Sequence, residues 1–187
     1  MRMRSNLKIN TLTLVCVSVF GYGVYNLFEP DRFPLRFVRG DAIQLDERVS
    51  LGPYPSQREF HRLRRMGVTT FVSLMSPDFP VEAPLIRQEE NLCNQVGVTC
   101  RNFPMNFSDV DSAANVEQAD AVIAFLKSQP GKIYVHCYLG RHRIKLIQQR
   151  WIPPRTEPGR DVPAATRFPM TRRAAVAWSQ LDVPRAR

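Results

Sequence analysis

One stretch restricts what this chain can fold into more than any other: KIYVHCYLGRHRIK, residues 132–145. An apolar and aromatic run leads straight into His136 and Cys137. Gly140 follows three residues after the cysteine, and Arg143 six residues after it. The run reads as a buried strand, the glycine and basic residues as a tight loop, and the residues from Arg143 as a helix. Such a junction belongs in a sheet covered by helices, so the rest of the sequence has to supply alternating strands and helices.

It does. RVSLG (48–52) is strand-like, and Ser56 with Glu59 forms an S-x-x-E capping box for a helix through REFHRLRRM (58–66), stopped at Gly67. VTTFVSL (68–74) is a β-branched buried strand, VEAPLIRQEENLCNQV (81–96) a helix closed by Gly97, and VTCRNF (98–103) another strand. AANVEQADAVIAFLKS (113–128) is a helix with a broad apolar face, and Pro130-Gly131 turns the chain into the opening stretch. The expected fold class is α/β, a mostly parallel central sheet flanked by helices, in a domain at 37–152.

The N-terminus has a different character. Residues 1–8 form a basic tail with Arg2, Arg4 and Lys8, and residues 9–28 run without a charge. Twenty helical residues reach about 30 Å, the thickness of a bilayer core. No A-x-A-like cleavage site follows, so the expectation is a single-pass transmembrane anchor at 9–28 rather than a signal peptide. A Pro- and charge-rich linker at 29–36 joins it to the domain. The basic tail favours a cytoplasmic N-terminus, with the domain on the far side.

The net charge of +9 favours anionic partners. No nucleic-acid module is visible, so nucleic acid is not expected among them. Cys16, Cys93, Cys100 and Cys137 show no C-x-x-C spacing, and His61, His136 and His142 are scattered. No disulfide framework, metal or cofactor is expected.

The loop from Tyr138 through Leu139, Gly140, Arg141 and His142 to Arg143 has a chemistry of its own. Ligands bind beyond the carboxyl ends of strands in such sheets. A loop entering a helix N-terminus makes an anion nest, which Gly140 lets curl tightly. Arg143 brings a planar fork for phosphate oxygens. All of these favour a thiolate at Cys137, placed to attack a bound phosphorus.

HCYLGRHR (136–143) matches H-C-x-x-G-x-x-R, and residues 40–143 resemble the cysteine-dependent protein tyrosine and dual-specificity phosphatases. VSLGPYPSQREFHRLRRMGVTTFVSL (49–74) is also similar to the opening strands and helix of compact dual-specificity members. The resemblance implies a phosphoric monoester hydrolase working through a phosphocysteine at Cys137, with Arg143 and residues 138–142 on the phosphate. It implies that His136 supports the cysteine loop by hydrogen bonding. It further implies an aspartate general acid on an upstream loop, here FPMNFSDVDSAANVEQ (103–118), with Asp109 and Asp111 as candidates. Asp111 or Ser112 could cap the following helix, a role that competes with acid catalysis at Asp111, so Asp109 is the choice.

The chain departs from the family after Arg143. Ile144 stands where a serine or threonine usually hydrogen-bonds the sulfur. Pro153-Pro154 ends the next helix, and residues 153–187 are Arg- and Pro-rich and read as largely disordered, with the look of a replaced or frame-shifted C-terminus. The alternative reading is a catalytically impaired phosphate-binding pseudophosphatase. A rhodanese-like sulfur transferase also uses a Cys loop, but it would need neither the upstream Asp nor this spacing. The expected partner is a phosphorylated protein or another phosphomonoester.

Overall fold

Helix α2 (Gln57–Arg65) begins where its capping box dictates: Ser56 Oγ accepts from Glu59 N, and the Glu59 carboxylate accepts from Ser56 N. Left-handed Gly97 closes α3 (Glu82–Val96), and Ser112 caps α4 (Ala113–Ser128). A computed structural model describes residues 3–28, 35–151 and 167–168, with side chains at 11–28 and 35–151. The remaining elements are α1 (Met3–Leu27), α5 (Arg143–Arg150) and strands β1 (Ala42–Gln44), β2 (Val49–Pro53), β3 (Val68–Ser73), β4 (Thr99–Asn102), β5 (Lys132–Cys137) and β6 (Arg167–Phe168).

The strand order is β4-β3-β5-β2-β1-β6. Strands β4, β3, β5 and β2 run parallel, while β1 and β6 add antiparallel pairings at one edge, so the sheet is mixed. Alternation along β5 splits its side chains between two layers. Ile133, Val135 and Cys137 join Val122, Leu126, Ile144 and Ile147 under α4 and α5. Tyr134 joins Phe60, Leu63, Phe71 and Leu92 under α2 and α3. With both faces covered, the central strands read as continuous apolar runs.

The uncharged N-terminal run forms α1, and Leu12, Leu14, Val17, Val19 and Phe20 on it are exposed. Among the described residues, no helix is long and apolar enough to cross a membrane. Its C-terminal end is held against the domain. Phe28 packs with Tyr54, Met75, Leu85 and Ile86, and the Tyr138 hydroxyl donates to Leu27 O at 2.7 Å. The expected linker falls mostly, and the tail at 153–187 almost wholly, outside the described residues. Arg167–Phe168 pairs with β1.

The cysteine expectation is corrected. Cys93 near the end of α3 and Cys100 on β4 are joined as a disulfide, with Cα atoms 6.1 Å apart. Their spacing looked uninformative because the turn at Gly97, not the sequence separation, brings them together. Closing so short a loop is worth about 2–3 kcal/mol. Denatured without reductant, the chain should take up iodoacetamide at Cys16 and Cys137 alone, and at all four cysteines after reduction. Four tags without reductant, read by intact mass, would contradict the pairing.

Candidate active site

Strand β5 delivers Cys137 beside Pro53 at the end of β2. The loop then folds back on the strands. Tyr138 O accepts from Tyr54 N at 3.2 Å, and Leu139 O accepts from Gly40 N at 2.7 Å. Gly140 has φ +66°, and a Cβ there would fall on the Gly52–Pro53 backbone. A Cβ at Gly40 would fall on the Gly140 carbonyl. Both positions therefore require glycine for backbone to meet backbone, and Gly140 requires it also for its dihedral. Helix α5 opens after His142 without a side-chain cap, so the positive end of its dipole adjoins the loop. Arg141 and His142 are exposed.

Cys137 and Arg143 are 3% and 4% exposed. Arg143 Nη1 donates to Leu74 O at 2.9 Å, to Met105 O at 3.2 Å and to Glu82 Oε2 at 2.9 Å, and Nη2 donates to Glu82 Oε1. Burial alone pulls the guanidinium's pKa down, but the bonds to Glu82 and the Cys137 sulfur more than offset this and leave it above its ordinary value. The sequence reading gave the Arg143 fork to phosphate. The structure gives one edge of that fork to Glu82 and turns Nη1 also to the Leu74 and Met105 carbonyls. Glu82 was missed because an acid in a helix first turn is ordinary there. It is 1% exposed and also accepts from Ser76 N at 2.8 Å.

His136 lies on the opposite sheet face from Cys137. Its Nε2 is 2.7 Å from Glu89 Oε1, both residues are buried, and its ring stacks on Tyr134 with Tyr54 at its edge. Nδ1 has no partner among the described residues. The contact of His136 with the strand ends is through its carbonyl, which accepts from Leu74 N at 2.8 Å. Glu82 and Glu89 are seven residues apart, so one face of α3 holds both Arg143 and His136.

Asp109 and Asp111 are both exposed on the loop before α4. The cap of α4 is Ser112, whose Oγ accepts from Asn115 N at 3.4 Å, so capping does not separate the two aspartates. Phe107 on this loop meets Phe79 at 4.5 Å between ring centroids, linking it to the segment before α3. Tyr138 is half-buried; burial first, and then the Glu82 carboxylate, push its phenol up to about 12 against the pull of Arg39, which keeps it a hydrogen-bond donor. Ile144 is 1% exposed in the same apolar cluster as Cys137, so it is a core residue as well as the loop's neighbour. Among the described residues no cluster suits a metal ion.

Replacing Glu82 by glutamine keeps the shape of the site but leaves Arg143 a buried cation without its carboxylate. Glu82→Gln should lower unfolding free energy by about 3–5 kcal/mol. A loss under about 1 kcal/mol in urea titration would mean the pair is not held as described.

No protein-family model matches the chain, and no curated protein matches it. Among solved structures it is similar to a candidate phosphatase (DUF442) from Shewanella putrefaciens CN-32, at 22% identity over 60% of this chain and 70% of that chain, TM-score 0.48. It is also similar to the core catalytic domain of the PP-IP phosphatase SIW14 from S. cerevisiae, in complex with citrate, at 18% identity over 58% and 63% of the two chains, TM-score 0.46. A third similarity is to a candidate phosphatase from Neisseria meningitidis Z2491, at 21% identity over 56% and 71%, TM-score 0.44.

Proposed function

We propose that this chain is a cysteine-dependent phosphoric monoester hydrolase of the protein tyrosine and dual-specificity type. The observation that carries the reading is that Cys137 and Arg143, both buried, stand at the two ends of one tight loop at the mouth of a helix, with the guanidinium fixed by Glu82. The remaining donors of Arg143, the loop and the helix end suit a phosphate dianion beside Cys137. The Cys137 thiolate attacks phosphorus, forming an S–P bond as the ester P–O bond breaks. The departing oxygen takes a proton from Asp109. Water then attacks the phosphocysteine, giving a proton to the Asp109 carboxylate, and the S–P bond breaks to release orthophosphate and the thiolate. A phosphorylated protein, an inositol phosphate and a lipid phosphate share the monoester this cycle needs.

A second proposal concerns the membrane. The exposed apolar residues of α1, with basic residues on both sides, suit an anionic bilayer, and the notion of a domain beyond the membrane agrees with the Cys93–Cys100 bridge. Protease added to sealed spheroplasts should digest the domain; digestion only after lysis would place it inside.

Cys137→Ser should end phosphate release from 4-nitrophenyl phosphate yet keep oxyanion binding, measured with inorganic phosphate by calorimetry. Arg143→Ala should lose both. Phosphate release at the wild-type rate by Cys137→Ser would refute the nucleophile. Ile144 offers the sulfur no hydrogen bond, and one such donor is worth on the order of 10²–10³ in rate. The wild type should therefore show a burst, with the phosphocysteine forming faster than it breaks down. Ile144→Thr should speed the slow phase while lowering stability, because it buries a hydroxyl in the core. A wild type without a burst, unchanged by threonine, would contradict this.

A further inference from the structure

Asn115 is a polar residue that the sequence reading left in the face of a helix, and it is 2% exposed. Its amide is spent entirely on the loop before α4. Nδ2 donates to Asn106 O at 2.7 Å, Asp109 O at 2.8 Å and Val110 O at 3.2 Å, and Oδ1 accepts from Asn106 N at 2.8 Å. One buried side chain thus closes the loop from both ends. Of the two candidate acids, it fixes the backbone of Asp109 directly. The Ser112 N–H also donates to Asp109 O, at 3.3 Å, but Asn115 alone ties that carbonyl to both the N–H and the carbonyl of Asn106 at the other end of the loop.

We propose that Asn115 is the positioning residue that makes Asp109 the proton donor and leaves Asp111 a solvated surface carboxylate. The inference rests on the hydrolase reading above. Removing this buried amide takes away four hydrogen bonds to the loop at once. A proton donor must sit within hydrogen-bond reach of the leaving oxygen, so loosening its backbone costs acid catalysis and leaves nucleophilic attack in place.

The test uses the full chain with two monoesters, 4-nitrophenyl phosphate, whose leaving group needs little protonation, and phenyl phosphate, whose leaving group needs it. Asn115→Ala should lose at least about tenfold more kcat/KM on phenyl phosphate than on 4-nitrophenyl phosphate, within the ~10²–10⁴ range of general acid catalysis. Asn115→Ala combined with Asp109→Asn should fall no further than Asp109→Asn alone, as expected of residues acting as one unit. Equal losses on both esters, or multiplying losses in the double variant, would overturn the proposal and leave Asn115 a packing residue. If Asn115→Ala does not fold, hydrogen exchange on the wild type decides: the Asn106 amide should be protected, and exchange at the rate of an open loop would overturn it. That exchange is read even if the wild type hydrolyses neither ester, an outcome that would instead refute the hydrolase reading.

Discussion

A guanidinium keeps its charge inside a protein, so once Arg143 is buried the fold must bring a carboxylate to it. Glu82 is that carboxylate, and much of the architecture follows from delivering it. Residues 74–81 carry the chain from β3 to α3, so that the first turn of α3 brings Glu82 to Arg143. Leu74 and Met105, at the ends of β3 and β4, turn their carbonyls to the same guanidinium. Two strand ends and the start of α3 thus converge on the cation that opens α5. Under the proposed function, this convergence forms the anion-binding end of the sheet before any ligand arrives.

The two faces of β5 divide the work. The face carrying Cys137 packs under α4 and α5, and the face carrying His136 packs under α2 and α3. The acids on α3 reach both, Glu82 across the strand ends to Arg143 and Glu89 to His136. The disulfide fastens the C-terminal part of that same helix to β4. Glycine does the rest: a side chain at Gly40 would strike the Gly140 carbonyl, one at Gly140 the Gly52–Pro53 backbone, and one at Gly52 the Tyr134 hydroxyl.

Much of this was legible in the sequence for local reasons. Ser56 and Glu59 make a capping box whose partners are three residues apart, and Gly97 and Pro130-Gly131 stop or turn the chain by their own conformational limits. Cys137 and Arg143 flank one loop, so their spacing carries the signal. What was not legible depends on contacts across long separations. Strand β1 is three residues long and exists because β2 lends it an edge. Glu82 and Glu89 look like surface acids of a helix until the fold buries them. The Cys93–Cys100 bridge depends on a helix stop and a strand that lies beside it. Asn115 hides in a helix pattern because one buried amide there reads the same as a solvent-facing one.

The central claim is that Cys137 becomes covalently bound to phosphorus. Acid quench of the full-length protein with 4-nitrophenyl phosphate during the first turnover, followed by peptide mass spectrometry, tests it most directly. The account predicts one added phosphoryl group on the peptide that contains Cys137, absent when the ester is omitted. A turning-over enzyme with no such adduct at any quench time, or with the phosphoryl group on another side chain, would contradict it.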